Sequence, residues 1–203
     1  MNEADFEAAG TLGGSMALTT LDPKTALIVV DLQKGIVGAA LMGSIAPVVD
    51  RSAALLREFR NRSLPVILVN AAGGAPGRTE QPRRHTEPLL PGFTDFIPQV
   101  DQQPTDIVVT KRSWGAFATT DLDWQLKSLD VTQVVIIGVA TSTGVEATAR
   151  QAYEAGFNVA LAVDAMTDTR PEAHEYSIRN IFPRLGETAT TEDIINELAK
   201  RDL

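Results

Sequence analysis

The chain contains no cysteine. Disulfides, thiolate metal centres and every mechanism that attacks with a cysteine side chain are thereby excluded. Histidine is almost as scarce: His85 and His174 are the two in 203 residues. No H-x-x-x-H spacing and no Asp-x-His pair occurs, so neither a metal nor another cofactor is expected. Long apolar runs are missing as well. None approaches the roughly 20 residues that a membrane-crossing helix requires, and the opening stretch MNEADFEAAG starts with acids and has no apolar segment of the kind found in secretory signals. These features predict a cytoplasmic protein without membrane contacts. Positive charge is also in deficit, with 18 Lys and Arg against 26 Asp and Glu and a net charge of −8. That balance repels phosphate backbones and argues against a nucleic-acid partner.

What is present is the balance of an ordinary folded domain, 44% hydrophobic and 22% charged, with length enough for one sizeable core. Residues 1–23 are small, polar and aperiodic, and read as a mobile tail ahead of a single domain over 24–203. Buried strands are predicted at 25–31 (TALIVVD), 65–70 (PVILVN), 106–110 (DIVVT), 131–139 (VTQVVIIGV) and 158–164, with a weak sixth at 187–189. Helices are predicted at 45–62, 121–129, 143–156 and 172–181, and a last one opening at Thr190–Asp193 runs to about residue 201. Within 143–156, Glu146 and Arg150 have the spacing of an i,i+4 pair. The 71–104 connection is long and rich in Gly, Pro and Arg, as segments that cover a site often are.

Apolar strands alternating with helices imply an α/β fold with a parallel sheet and helices on both faces. Ligands in such folds bind beyond the carboxyl ends of the strands, where the strand order reverses. Three features fall there: Asp31, Lys111 and the segment 139–144. The turn GVATSTG over 138–144 has neither the spacing of a dinucleotide fold nor the Lys-Ser/Thr of a P-loop, and no G-x-S-x-G elbow exists. A carboxylate and an ammonium facing a helix start are what remain.

Asp31 at the end of an apolar strand is costly unless paired or used, although an Asp there also caps turns. Free backbone N–H groups over 141–145 are expected to offer an anion or oxyanion site. Trp114 and Phe117 are candidate pocket walls, with core packing the alternative for Phe117. Arg78, Arg83 and Arg84 form either a solvated loop or a carboxylate contact. His174, beside Glu172 and Glu175, is expected at the surface or an interface.

Three segments taken together, TALIVVDLQKGIV, VVTKRSWGAFATTDLDWQL and VVIIGVATSTGVEATARQAYEAGFNVALAVDAMTD, resemble the isochorismatase-like hydrolases over essentially residues 25–200. The resemblance implies a Rossmann-like, three-layer α/β/α sandwich around a six-stranded parallel sheet, and a non-proline cis peptide between Val139 and Ala140. It implies an Asp–Lys–Cys triad in which Asp31 and Lys111 match and the cysteine position holds Gly144. Amidase members use the thiolate, which this chain lacks. Isochorismatases proper resemble the chain in having glycine there, because they hydrolyse a vinyl ether.

By that resemblance Asp31 is the general acid and Lys111 orients it, while Gly144 leaves room for the substrate. Trp114, Phe117, Val139, Ala140, Thr141, Thr143, Arg78 and Arg84 are the expected substrate contacts. The alternatives are an amidase with a hydroxyl or water nucleophile and a member that binds a small metabolite without catalysis. A small-molecule substrate and a homo-oligomer are expected.

Overall fold

In the computed structural model, which describes residues 18–38, 45–81 and 88–200, the run TALIVV forms β1 (Thr25–Val30), buried along its whole length. β2 (Val66–Ala71), β3 (Ile107–Lys111), β4 (Gln133–Val139), β5 (Asn158–Thr167) and β6 (Glu187–Ala189) join it in one sheet of order β3-β2-β1-β4-β5-β6. All five pairings are parallel. The order runs outward from β1 in one direction and from β4 in the other. The switch point therefore lies between β1 and β4.

Side chains alternate across β1. Leu27 and Val29 enter one core with Leu55, Leu56 and Phe59 of α2 (Ala46–Asn61) and Ile194 and Leu198 of α6 (Thr191–Ala199). Ala26, Ile28 and Val30 enter the other, with Leu122 and Leu126 of α3 (Leu122–Ser128) and Ala149 and Ala152 of α4 (Glu146–Glu154). Two cores on two faces of one sheet make the three-layer α/β/α sandwich, as strands apolar on both sides require. α6 opens with a capping box in which Thr190 accepts from the Asp193 N–H and Asp193 accepts from the Thr190 N–H.

Several elements differ from the sequence expectation. A short helix α1 (Lys34–Val37) follows β1. The helix expected over 143–156 is divided: Thr141–Val145 makes one π-helical turn whose N-cap is Ala140, and α4 follows. No Ser or Thr side chain caps this turn, because the hydroxyls of Thr141, Ser142 and Thr143 bond elsewhere. Likewise α5 spans Pro171–Tyr176 and gives way to a second π turn at Ser177–Ile181. Residues 18–23, expected in a mobile tail, are packed onto the sheet: Leu18 and Leu21 are buried, and the Asp22 N–H donates to Gln133 Oε1 at 2.7 Å. Residues 1–17 lie outside the described residues. Among the described residues no helix is long and apolar enough to cross a membrane.

Gly138 of β4 pairs with Val30 of β1 and has a φ of +115°. A Cβ there would lie 2.0 Å from the Val30 carbonyl oxygen, so only glycine lets the two central strands deliver their ends side by side. Gly138→Ala is expected to lower stability by at least about 3 kcal/mol, read as a fall in the urea midpoint at unchanged slope.

Candidate active site

Asp31 follows the last residue of β1 and Lys111 is the last residue of β3, so the lysine stem must pass the end of β2 to reach the carboxylate. Lys111 Nζ lies 2.9 Å from Asp31 Oδ2 and donates to the Trp114 carbonyl at 2.6 Å. Both side chains are almost wholly buried, 2% and 8% exposed. Asp31 adopts φ +55°, a left-handed conformation that Asp tolerates better than most residues. Its backbone N–H stays anchored to the Val69 carbonyl at 2.9 Å.

Burial and Lys111 act on Asp31 in opposite directions. Desolvation raises a buried carboxyl by as much as about 3–5 pKa units and an adjacent ammonium lowers it by about 1–3. Desolvation wins, and the Asp31 pKa is pushed up to about 6. Asp31 therefore keeps its proton to a higher pH than an ordinary carboxyl does.

The other wall is the turn after β4. The Val139–Ala140 peptide bond is cis, and Gly144 is buried beneath the pair. A Cβ on Gly144 would sit 3.1 Å from Asp31 Oδ2, from the Val139 carbonyl oxygen and from Val30 Cγ1. Any side chain here crowds the acid.

The expected free N–H groups of 141–145 are mostly committed within the chain. Ser142 N–H donates to Asp168 Oδ2 at 2.8 Å, and the Thr143 and Val145 N–H groups donate to the Ala140 carbonyl at 3.1 and 3.2 Å. The anion site read from the sequence is corrected to that extent: two of these donors fold back onto Ala140 and the third is taken by Asp168. Asp168 also accepts from the Ser142 hydroxyl at 2.7 Å and the Arg170 N–H at 3.1 Å. Burial alone would raise Asp168, but these donors, Ser142 first, hold it below the usual carboxylate range.

The remaining expected contacts divide. Val139 is buried and Ala140 packs against the α2 core. Thr143 is half-buried, with its hydroxyl 3.4 Å from the Ala140 carbonyl. Trp114 is 68% exposed beside Lys111, while Phe117 turns away and packs its ring 6.0 Å from that of Phe157. Phe117 is thus a core contact, corrected from a pocket wall, because apolar surface on α4 and β5 offers it fuller burial. Arg78 is exposed; Arg83, Arg84 and His85 lie outside the described residues.

His174 also departs from its expected surface position. It is buried, and its Nδ1 lies 2.8 Å from the hydroxyl of Thr141, itself fully buried. The proximity of α5 to the π turn, with Ser177 donating to Glu146 Oε2 at 2.6 Å, is a tertiary fact that the local sequence does not carry. Gln33 was likewise not singled out. Its Nε2 donates to the Ala71 and Phe93 carbonyls and its Oε1 accepts from the Ala71 N–H at 2.6 Å, pinning the 93–97 segment to the end of β2. Among the described residues no group of three or more His, Asp or Glu side chains is placed to hold a metal ion.

Two expectations follow. Lys111→Met removes the group that lowers Asp31, so the carboxyl titration, followed by ¹³C NMR, should move upward from about 6. His174→Leu and Thr141→Val should each cost about 1–2 kcal/mol in chemical denaturation, with the double variant costing less than their sum.

Comparison with known proteins agrees with this architecture. The family model for the isochorismatase domain matches residues 25–193. The chain is 39% identical over 181 residues to YwoC of Bacillus subtilis (strain 168), an uncharacterized isochorismatase family protein, covering 86% of this chain and 94% of that one. It is 38% identical over 141 residues to the streptothricin hydrolase of Streptomyces noursei, covering 69% of this chain and 48% of that one. An isochorismatase family protein from Burkholderia thailandensis superposes with a TM-score of 0.84 at 41% identity, covering 89% and 98% of the two chains. The chain therefore belongs to the isochorismatase family of hydrolases.

Proposed function

We propose that the protein hydrolyses a vinyl ether of a small acidic metabolite, isochorismate being the most concrete case, with Asp31 as general acid. The observation that carries this reading is the juxtaposition of an acid titrating at about 6 with a glycine whose Cβ would lie 3.1 Å from that acid. An amidase of this family needs a nucleophilic side chain where Gly144 stands, and the turn has closed around its absence. Vinyl-ether hydrolysis needs none: Asp31 protonates the terminal enol carbon, and water adds to the resulting oxocarbenium carbon. The hemiketal then collapses to a ketone and the free alcohol. Lys111 fixes one carboxyl oxygen of Asp31 and leaves the other to carry the proton.

Two hydroxyls near Gly144 in the turn, those of Ser142 and Thr141, do not offer a replacement nucleophile. Ser142 is bound to Asp168, and Thr141 is buried against His174. Activation of either would break a bond that shapes the turn.

The test is pyruvate release from isochorismate by wild type and Asp31→Asn, beside a panel of small amides. Wild-type kcat/KM should fall as the pH rises through about 6, because Asp31 then loses the proton that it must donate. Asp31→Asn should reduce the rate by about 10²–10⁴-fold. Amide cleavage with no pyruvate release would overturn the assignment in favour of a water-attacking amidase. Tight metabolite binding without turnover would make the protein a binding member of the family.

A further inference from the structure

Three side chains of the segment that follows β5 reach the turn after β4 and the start of α4: Asp168 accepts from the Ser142 N–H at 2.8 Å, His174 Nδ1 meets the Thr141 hydroxyl at 2.8 Å, and Ser177 donates to Glu146 Oε2 at 2.6 Å. Of the residues so held, Ser142 and Glu146 are half-buried, while Thr141 has no exposed surface at all. Thr141 also stands between the cis Val139–Ala140 bond and Gly144.

The direction of the Thr141–His174 bond follows from its surroundings. A buried hydroxyl hydrogen needs an acceptor. Among the described residues His174 Nδ1 is the one partner of Thr141 Oγ1, so the hydroxyl donates to the ring nitrogen. Nδ1 then carries no proton, and the neutral imidazole holds its own on Nε2.

What the turn presents to the acid is Gly144, which is buried and so close that a Cβ on it would stand 3.1 Å from Asp31 Oδ2. Several bonds give the turn its shape. The Thr143 and Val145 N–H groups donate to the Ala140 carbonyl, and the Thr148 hydroxyl donates to that of Gly144. These bonds lie within the turn and α4 and would travel with them. The bonds from Asp168 and His174 come from a different part of the chain, and they set where the turn sits.

We infer that His174 is a positioning residue: through the Thr141 hydroxyl it seats the π turn so that Gly144 closes water off from the Asp31 carboxyl. The inference rests on the proposed acid role of Asp31 and names what sustains it. Burial is the largest influence on that carboxyl and outweighs Lys111, the charged group facing it. A turn that swings outward admits water to Asp31, while Lys111 keeps its place at the end of β3. Desolvation then weakens, the attraction of the ammonium remains, and the acid gives up its proton at a lower pH.

The experiment follows the Asp31 carboxyl by ¹³C NMR in the wild-type protein, in His174→Leu, in Thr141→Val and in the double variant. Each single change removes one side of the bond and leaves a side chain of similar size. Each is expected to move the Asp31 midpoint down from about 6 toward the ordinary carboxyl range, with the double variant going no further than the larger single effect. His174→Asn keeps an acceptor close to where Nδ1 stands and should hold the midpoint near 6. Ser177→Ala breaks the neighbouring contact to Glu146, leaves Thr141 alone and should hold it there too. If His174→Leu does not fold, Thr141→Val decides by the same criterion. A midpoint that stays near 6 without the bond, or that falls as far in Ser177→Ala, overturns the inference. Turnover is read separately: if the wild-type protein releases no pyruvate from isochorismate, the proposed function falls, while the Asp31 titration still decides whether His174 seats the turn.

Discussion

The Lys111–Asp31 pair is the constraint around which the carboxyl end of the sheet is built. Two opposite charges are taken out of water at the end of a wholly apolar strand, where each alone would cost several kcal/mol. Attraction returns much of that only if the geometry is held. The holding is distributed: β3 brings the lysine, the Trp114 carbonyl takes a second of its protons, and the Asp31 N–H is tied to β2. One carboxyl oxygen, Oδ2, is thereby held, and Oδ1 is left without a hydrogen-bond partner. The imbalance between desolvation and pairing is what makes a routine ion pair into an acid.

Around the pair lies a shell of side chains whose work is to hold backbone. Asp168 grips Ser142, His174 grips Thr141, and Thr148 donates to the Gly144 carbonyl at 2.7 Å. Gln33 ties the 93–97 segment to β2, and Phe93 lies so close to Gly35 that a Cβ there would stand 2.2 Å from its ring. Each bond satisfies a polar group that the turn would otherwise leave buried and unpaired. The site is accordingly a rigid set of polar contacts on the rim of two apolar cores.

The sheet was legible because its strands are apolar on both faces, a pattern that survives without any knowledge of neighbours. Asp31 and Lys111 were legible for the related reason that charges stand out at the ends of such runs. Gly144 was visible through family resemblance, and its chemical meaning through the missing cysteines. What stayed hidden depends on contacts distant in sequence. Nothing near His174 reveals that Thr141 will meet it, and nothing near Phe117 reveals Phe157. The N–H groups of 141–145 read as free from an α-helical start, whereas Thr143 and Val145 fold back onto Ala140 and Asp168 takes Ser142.

Gly144 has a bearing on how this fold changes its chemistry over generations. Glycine and cysteine codons differ by a single base, so a thiol at this place is genetically near at hand. Mechanically it is further away, because the new Cβ would press on the carboxyl oxygen that Lys111 holds and on the walls formed by Val30 and Val139. A thiol gained here therefore requires these neighbours to give way by a few tenths of an ångström.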